Sequence, residues 1–370
     1  MALRKKAMAI VLSMAMVATS LSLPNMTAKT AQAAGSSFQN LNQSQITEAM
    51  GVGYNLGNSL EAASSGTPNE TAYGNPKLTE DLVLAAKDAG FKSIRIPVSY
   101  LSMIDDNNGY KIDSSWLDRV QQVVDYCVDN DMYAIVNMHG DGYTTVNGGW
   151  LLCGSGNQTK IKAKYKACWE QIADRFKNYD EHLIFESMNE VSCLDYDESM
   201  KNSADAVNYD RPIIMNFNQL FVNAVRSTGS NNTKRWLAAV DHYASTGTSS
   251  EFVMPTDYYN TDNPRLMFAA HRYSKSTNVS WTYAEATEMV KNLQDMYKKF
   301  GSDYPMYLGE YGTRNKKLAG SKTGYNDVER AYYSEIINRA CQVNGMVPCV
   351  WDQGYGQDDD PLTKEVIFSF

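Results

Sequence analysis

Two glutamates stand at the ends of short apolar runs, Glu190 closing LIFESMNE and Glu310 closing MYLGE. Carboxyl groups so placed can divide one reaction between them: one, protonated, gives its proton to a leaving oxygen, while the other, ionised, attacks or activates water. Cleavage of a glycosidic bond needs such a pair on opposite faces of the sugar. Taken singly, a strand-terminal glutamate is more often a salt-bridged structural residue, so the chemistry depends on its company. Other polar residues gather at the same kind of position: Asn55 and Asn58, Arg95, His139 and Asp141, Asn189, Asp241 and His242, His271 and Tyr273, Trp351 and Asp352. An arginine beside one glutamate and not the other would hold the first ionised and leave the second able to carry a proton.

Positioning these residues requires repeated elements. Strands are expected at Val52–Leu56, Ser93–Pro97, Tyr133–Met138, Leu183–Met188, Trp236–Val240, Leu266–His271, Met306–Leu308 and Val347–Trp351, with helices at Thr79–Ala89, Asp113–Asn130, Gln158–Tyr179, Pro212–Ser227, Tyr283–Phe300 and Asp327–Asn344. Apolar runs alternating with longer amphipathic segments imply a parallel sheet. Eight such strands imply an α/β fold of the (β/α)8 TIM-barrel class, in which functional groups sit at strand C-termini. Two stretches lack helical periodicity, 241–264 and Gly140–Gly156, and are expected as long loops shaping a cleft. Little chain remains after the eighth strand, so either the barrel closes with a short element or the sequence is a C-terminal fragment.

Composition narrows the partners. A formal charge of −8 with scattered basic residues offers no stripe for nucleic acid and no polybasic patch for membranes. The 24 Tyr and 6 Trp suit a neutral, ring-shaped ligand. Arg4, Lys5 and Lys6 precede an apolar run, Ala7–Ala18, and Ala31-Gln32-Ala33 fits a small-x-small cleavage site, so residues 1–33 are expected as a secretory signal peptide. Residues 34–50 form a lead-in to one catalytic domain over 51–370, secreted, extracellular and monomeric. Six dispersed cysteines make no scaffold; a Cys153–Cys193 bridge and buried free thiols stay equally open.

The motifs GYNLGNSLE, IRIPV, NMHGD, FESMNE, AAHRY, YLGEYG and VWDQG occur in the order found in glycoside hydrolase family 5, and from about Gly51 to Gly354 the chain resembles the cellulase-type endoglucanases of that family. The resemblance implies that Glu190 is the acid/base and Glu310 the nucleophile of a retaining mechanism. It implies that Asn189 contacts the sugar 2-hydroxyl, Arg95 pairs with Glu310, Tyr273 steadies Glu310, His271 stands beside Glu190, His139 contacts substrate at the cleavage subsite and Trp351 stacks under a pyranose. No cofactor or metal is implied. The implied activity is endo-β-1,4-glucan hydrolysis of cellulose-like or mixed-linkage glucan, with xyloglucan, mannan or xylan as alternatives served by the same chemistry. Two departures stand out: His139-Gly140 replaces a histidine pair, and Val191 replaces the proline after Asn-Glu.

The remaining candidates read as structure. Glu186 is expected as a satisfied barrel-interior carboxylate, His182 as surface or structural, and Asn55 and Asn58 as braces. His242 divides evenly between cleft and core, Trp150 and Trp281 between sugar platform and packing, and Glu61 is a candidate to reach substrate from the first loop. A barrel that binds sugar without turnover would need no glutamate pair. Four histidines without HxH or HxxxH spacing disfavour a metal hydrolase.

Overall fold

In the computed structural model, residues 38–191, 203–246, 251–274, 282–313 and 327–351 are described. Eight parallel strands close a barrel: β1 (Gly53–Asn55), β2 (Ser93–Ile96), β3 (Tyr133–Asn137), β4 (Leu183–Glu186), β5 (Leu237–Ser245), β6 (Leu266–Tyr273), β7 (Met306–Gly312) and β8 (Met346–Val350). β8 returns to β1 through Gly53 opposite Cys349, so the sheet has no free edge. Strands β2, β3 and β4 are buried along their whole length, as expected of parallel strands covered on both faces.

Seven helices are described: α1 (Gln43–Met50), α2 (Glu80–Asp88), α3 (Ser114–Val128), α4 (Gln158–Arg175), α5 (Ala204–Ser227), α6 (Tyr283–Phe300) and α7 (Asp327–Val343). Helices α1, α3, α4, α5 and α6 start where a side chain satisfies the first orphan amides, whereas Thr79 at the head of α2 makes no such bond. Asp113 accepts from Ser115 and Trp116 at the head of α3, and Thr282 forms a capping box with Glu285 at α6. In α3, Val120, Val123, Val124 and Cys127 share the buried face, the spacing of a single helical stripe. The lead-in contains α1, whose Ile46 and Met50 are buried.

Two expectations need correction. Helix α5 begins at Ala204, capped by Ser203, so Pro212 lies inside it. A proline there forgoes one helical hydrogen bond and clashes with a preceding carbonyl. The early turns nevertheless carry Asp210 and Arg211, both buried and joined to His242 and Asp241, and that tertiary pairing overrides local preference. Strands β5, β6 and β7 also run past their expected ends. Register shifts at Ala269/His271, Ala270/His271 and Leu308/Tyr311 show why: the pairing continues through bulges, which rotate side chains at the strand tips. In β5 this bend puts two non-glycine residues, Tyr243 and Ala244, at φ 48° each.

The two irregular stretches behave as expected. No α-helix occurs in the described part of the β5–β6 connection, and the β3 loop opens with a short 3-10 turn over Gly140–Gly142. Gly140 has a steric cause: a Cβ there would sit 2.5 Å from Ser99 Oγ, while its amide donates to that oxygen at 2.9 Å. A side chain at position 140, such as the second histidine expected from the resemblance, therefore meets Ser99 in this backbone. Segment 1–37, Cys193, Trp281, Asp352 and the closure after β8 lie outside the described residues. Cys153 is a buried free thiol.

Candidate active site

At the centre of the barrel is Arg95 on β2, with no exposed surface. Its guanidinium has five N–H groups, and all five are used. Nε and Nη2 reach the two oxygens of Glu186 at 2.9 and 2.7 Å, Nη1 reaches Asn55 Oδ1 at 3.0 Å and Glu310 Oε1 at 2.6 Å, and Nη2 also donates to Asn189 Oδ1 at 2.8 Å. Burial alone would pull the guanidinium down, yet the charges of Glu186 and Glu310 hold it well above its ordinary range. Glu186 is pushed up by burial and pulled further down by Arg95, for a net fall. It also accepts from Tyr307 and from Asn137. It is the satisfied interior carboxylate the sequence suggested.

Glu310, on β7, is 5 % exposed. Arg95 holds one of its oxygens and Tyr273 donates to the other at 2.7 Å. Glu190 follows β4, and its side chain is 30 % exposed against 6 % for Glu310. Oε1 of Glu190 is 2.8 Å from His271 Nδ1, which is 3.7 Å from Glu310 Oε2. One carboxylate oxygen of each glutamate, with a His271 nitrogen, falls within a 4.8 Å cluster. Burial lowers the His271 imidazole, but Glu310 and the bond to Glu190 outweigh it and raise the net value.

Such a cluster has the spacing of metal ligands. The donor set argues otherwise, because Arg95 and Tyr273 already bond both oxygens of Glu310, and a guanidinium at contact distance repels a cation. Asp180, Glu181 and His182 form a second close group at the opposite end of β4. There His182 links Asp180 and Asp131, a structural tie as expected.

Asn189 is 1 % exposed and its amide nitrogen donates to Tyr143 Oη at 2.6 Å. His139 stacks on Trp351, rings 5.9 Å apart at 15°. Burial, helped by Arg95 and His271, drives His139 down to about 3, so it is neutral at working pH. Its Nδ1 faces the amide donor of Asn137 at 3.2 Å, which leaves Nε2 as the protonated nitrogen.

The structure therefore gathers all eight expected site residues, Arg95, His139, Asn189, Glu190, His271, Tyr273, Glu310 and Trp351, around one end of the barrel. Other candidates are held by their own surroundings. Glu61 is buried, and its carboxylate accepts the Asn58 and Ser59 amides, which closes its own loop; it is near enough to Glu310 for the two charges to repel. Asn55 braces Arg95 and the Gly309 carbonyl, and Asn58 holds a left-handed φ of 56° in that loop. His242 is wholly buried against Asp210 at 2.7 Å. Trp150 donates to Asp141 and lies under the Lys164 ammonium, which is local packing. Tyr143 and Tyr307 carry roles that residue type alone did not reveal. The aromatic in the glycine-rich stretch after His139 was the available signal for the first.

A family model described as cellulase (glycosyl hydrolase family 5) matches residues 57–357. Endoglucanase A of Paenibacillus barcinonensis is 38 % identical over 355 residues, covering 88 % of this chain and 86 % of its own. Among solved structures, a family 5 xyloglucanase from Paenibacillus pabuli, in complex with a ligand, superposes with a TM-score of 0.79 at 40 % identity, covering 88 % of this chain and 98 % of that one. A broad-specificity endoglucanase from Ruminococcus champanellensis with bound cellotriose gives 0.76 at 32 % identity, over 90 % and 96 % of the two chains. With the eight-stranded parallel barrel and the motifs at its strand ends, these matches place the chain in glycoside hydrolase family 5, and it is a glycoside hydrolase.

Proposed function

We propose that the chain is a secreted, retaining endo-β-1,4-glucanase. The observation that carries this reading is the unequal treatment of two neighbouring glutamates. Glu310 is buried, and both its oxygens accept from donors, Arg95 and Tyr273, which fixes it in place as the nucleophile. Glu190 is more open and is served by His271, while every Arg95 N–H is spent elsewhere. That suits the group that must carry a proton.

In the first step Glu310 attacks the anomeric carbon as Glu190 protonates the departing glycosidic oxygen. In the second, Glu190 takes a proton from water, which displaces the sugar from Glu310. Oxygens within 4.8 Å match the roughly 5–5.5 Å carboxyl spacing of retaining enzymes better than the roughly 6.5–9.5 Å that leaves room for an inverting water. The Asn189 amide faces the 2-hydroxyl in this reading, His139 contacts the sugar, and Trp351 supplies a stacking face.

The substrate is a β-1,4-glucan backbone, cellulose-like or mixed-linkage, as in the endoglucanases named above. A second reading, xyloglucan, is favoured by the 40 % identity to a xyloglucanase. Secretion rests on Arg4, Lys5, Lys6, the apolar run Ala7–Ala18 and the Ala31-Gln32-Ala33 site. The test is a panel of carboxymethylcellulose, lichenan, xyloglucan, glucomannan and xylan, with products sized over time and their first-formed anomer read by NMR. Fast loss of glucan chain length with β-configured ends is expected. Inverted ends, or cleavage of xylan or mannan alone, would overturn the proposal.

A further inference from the structure

Asn189 is gripped at both ends of its amide. Its oxygen accepts from Arg95 Nη2 at 2.8 Å, and its nitrogen donates to the Tyr143 hydroxyl at 2.6 Å. A guanidinium only donates, so Arg95 decides which end of the amide is oxygen. It does not fix the tilt of the amide plane, because one contact leaves the terminal torsion soft. Tyr143 supplies the second point. It takes one of the two amide hydrogens, and no described residue takes the other.

Tyr143 is itself held. It follows the Gly140–Gly142 turn, and its ring lies edge-on to His139 at 6.1 Å and 71°. The loop around it is pinned by Asp141, whose buried carboxylate accepts from the Tyr100 and Leu101 amides and from Trp150 Nε1 at 3.0, 2.7 and 2.7 Å. Gly149 belongs to the same clasp: a Cβ there would collide with the Tyr143 carbonyl at 2.2 Å.

We propose that Tyr143 is a positioning residue that sets the plane of the Asn189 amide, so that its second hydrogen meets a hydroxyl of the sugar at the cleavage subsite. This rests on the glucanase reading for the identity of that sugar. The consequence is kinetic. A contact that tightens in the transition state is felt in kcat when its geometry loosens.

The test is Tyr143→Phe in the full chain, assayed on an aryl β-cellobioside in wild-type and Asn189→Ala backgrounds. A loss of about tenfold, mainly in kcat, is expected in the first background and none in the second, since the tyrosine acts through the asparagine. No loss in the wild-type background, or the same factor in both, would overturn the assignment. A second measurement stands apart from turnover: in ligand-free protein the paired side-chain amide resonances of Asn189 should shift in Tyr143→Phe, and unchanged resonances would overturn it. If they shift while the wild-type enzyme cleaves no β-glucan, the substrate reading fails and the Tyr143–Asn189 link stands.

Discussion

Arg95 Nη1 lies 2.6 Å from Glu310 Oε1, and the same guanidinium binds Glu186 through two further nitrogens. One buried cation thus anchors two buried carboxylates, one on β4 and one on β7. The geometry needs a planar fork with donors in fixed directions, which lysine lacks. Arg95→Lys should therefore lower kcat by at least about 100-fold, because hydrogen bonds to charged groups are worth about 1.5–3 kcal/mol each and more than one is lost. Stability should fall by at least about 1.5–3 kcal/mol, the worth of one hydrogen bond to a charged group, because lysine keeps the charge and loses the paired bonds to Glu186. Denaturant unfolding beside steady-state kinetics checks both, and a variant with near-native kcat would contradict the role.

Tyr273 is the other donor to Glu310, at 2.7 Å on Oε2. Removing only the hydroxyl in Tyr273→Phe should reduce kcat/KM about 10- to 100-fold, from one hydrogen bond to a charged acceptor. Thermal unfolding should stay close to that of the parent, since the ring is retained. An unchanged kcat/KM would show that Arg95 alone suffices.

Glu61 gives a pH dependence of stability. Burial pushes its carboxyl up to about 7, against the opposing pull of the Ser59 and Asn58 amides. A raised value means that the folded protein holds this proton more tightly than the unfolded chain. The resulting stabilisation is complete below the unfolded value near 4.5 and is lost as the pH rises through about 7. Its size is about 3 kcal/mol at most, with each tenfold change in proton affinity worth about 1.4 kcal/mol. Glu61→Gln should flatten the fall in stability between pH 5 and 8, in that pH range read by urea unfolding. Parallel curves for the two proteins would refute it.

Gly140 carries a steric prediction. Gly140→Ala brings a Cβ to 2.5 Å from Ser99 Oγ and should cost about 1–3 kcal/mol, the range for overfilling a packed site. Ser99→Ala in the same chain should restore part of that loss. A Gly140→Ala protein as stable as its parent would mean that the β3 loop relaxes freely.

Most of the fold was legible because β/α alternation is written in local pattern: β3 and β4 open on the apolar runs YAIV and LIF, and α6 matches its expected span, Tyr283–Phe300. The site residues were legible as a set because a parallel barrel forces polar strand ends together. What was not legible depends on contacts distant in sequence. The start of α5 hinges on Asp210 and Arg211 meeting β5, and the extensions of β5, β6 and β7 depend on bulges that no periodicity announces. Glu61 read as a candidate contact because a loop carboxylate looks free until its own amides are seen to claim it. The role of Tyr143 needed the partner 46 residues away on another loop.

In the proposed mechanism Glu310 forms a covalent bond to sugar while Glu190 handles the proton. A 2,4-dinitrophenyl 2-deoxy-2-fluoro-β-cellobioside should release dinitrophenolate as a carboxylate attacks its anomeric carbon, leaving a stable glycosyl ester on the protein, and intact mass followed by peptide mapping locates it. One adduct per chain is expected, on the peptide carrying Glu310 and absent from Glu310→Gln. An adduct on Glu190, or none while the enzyme hydrolyses glucan, would contradict it.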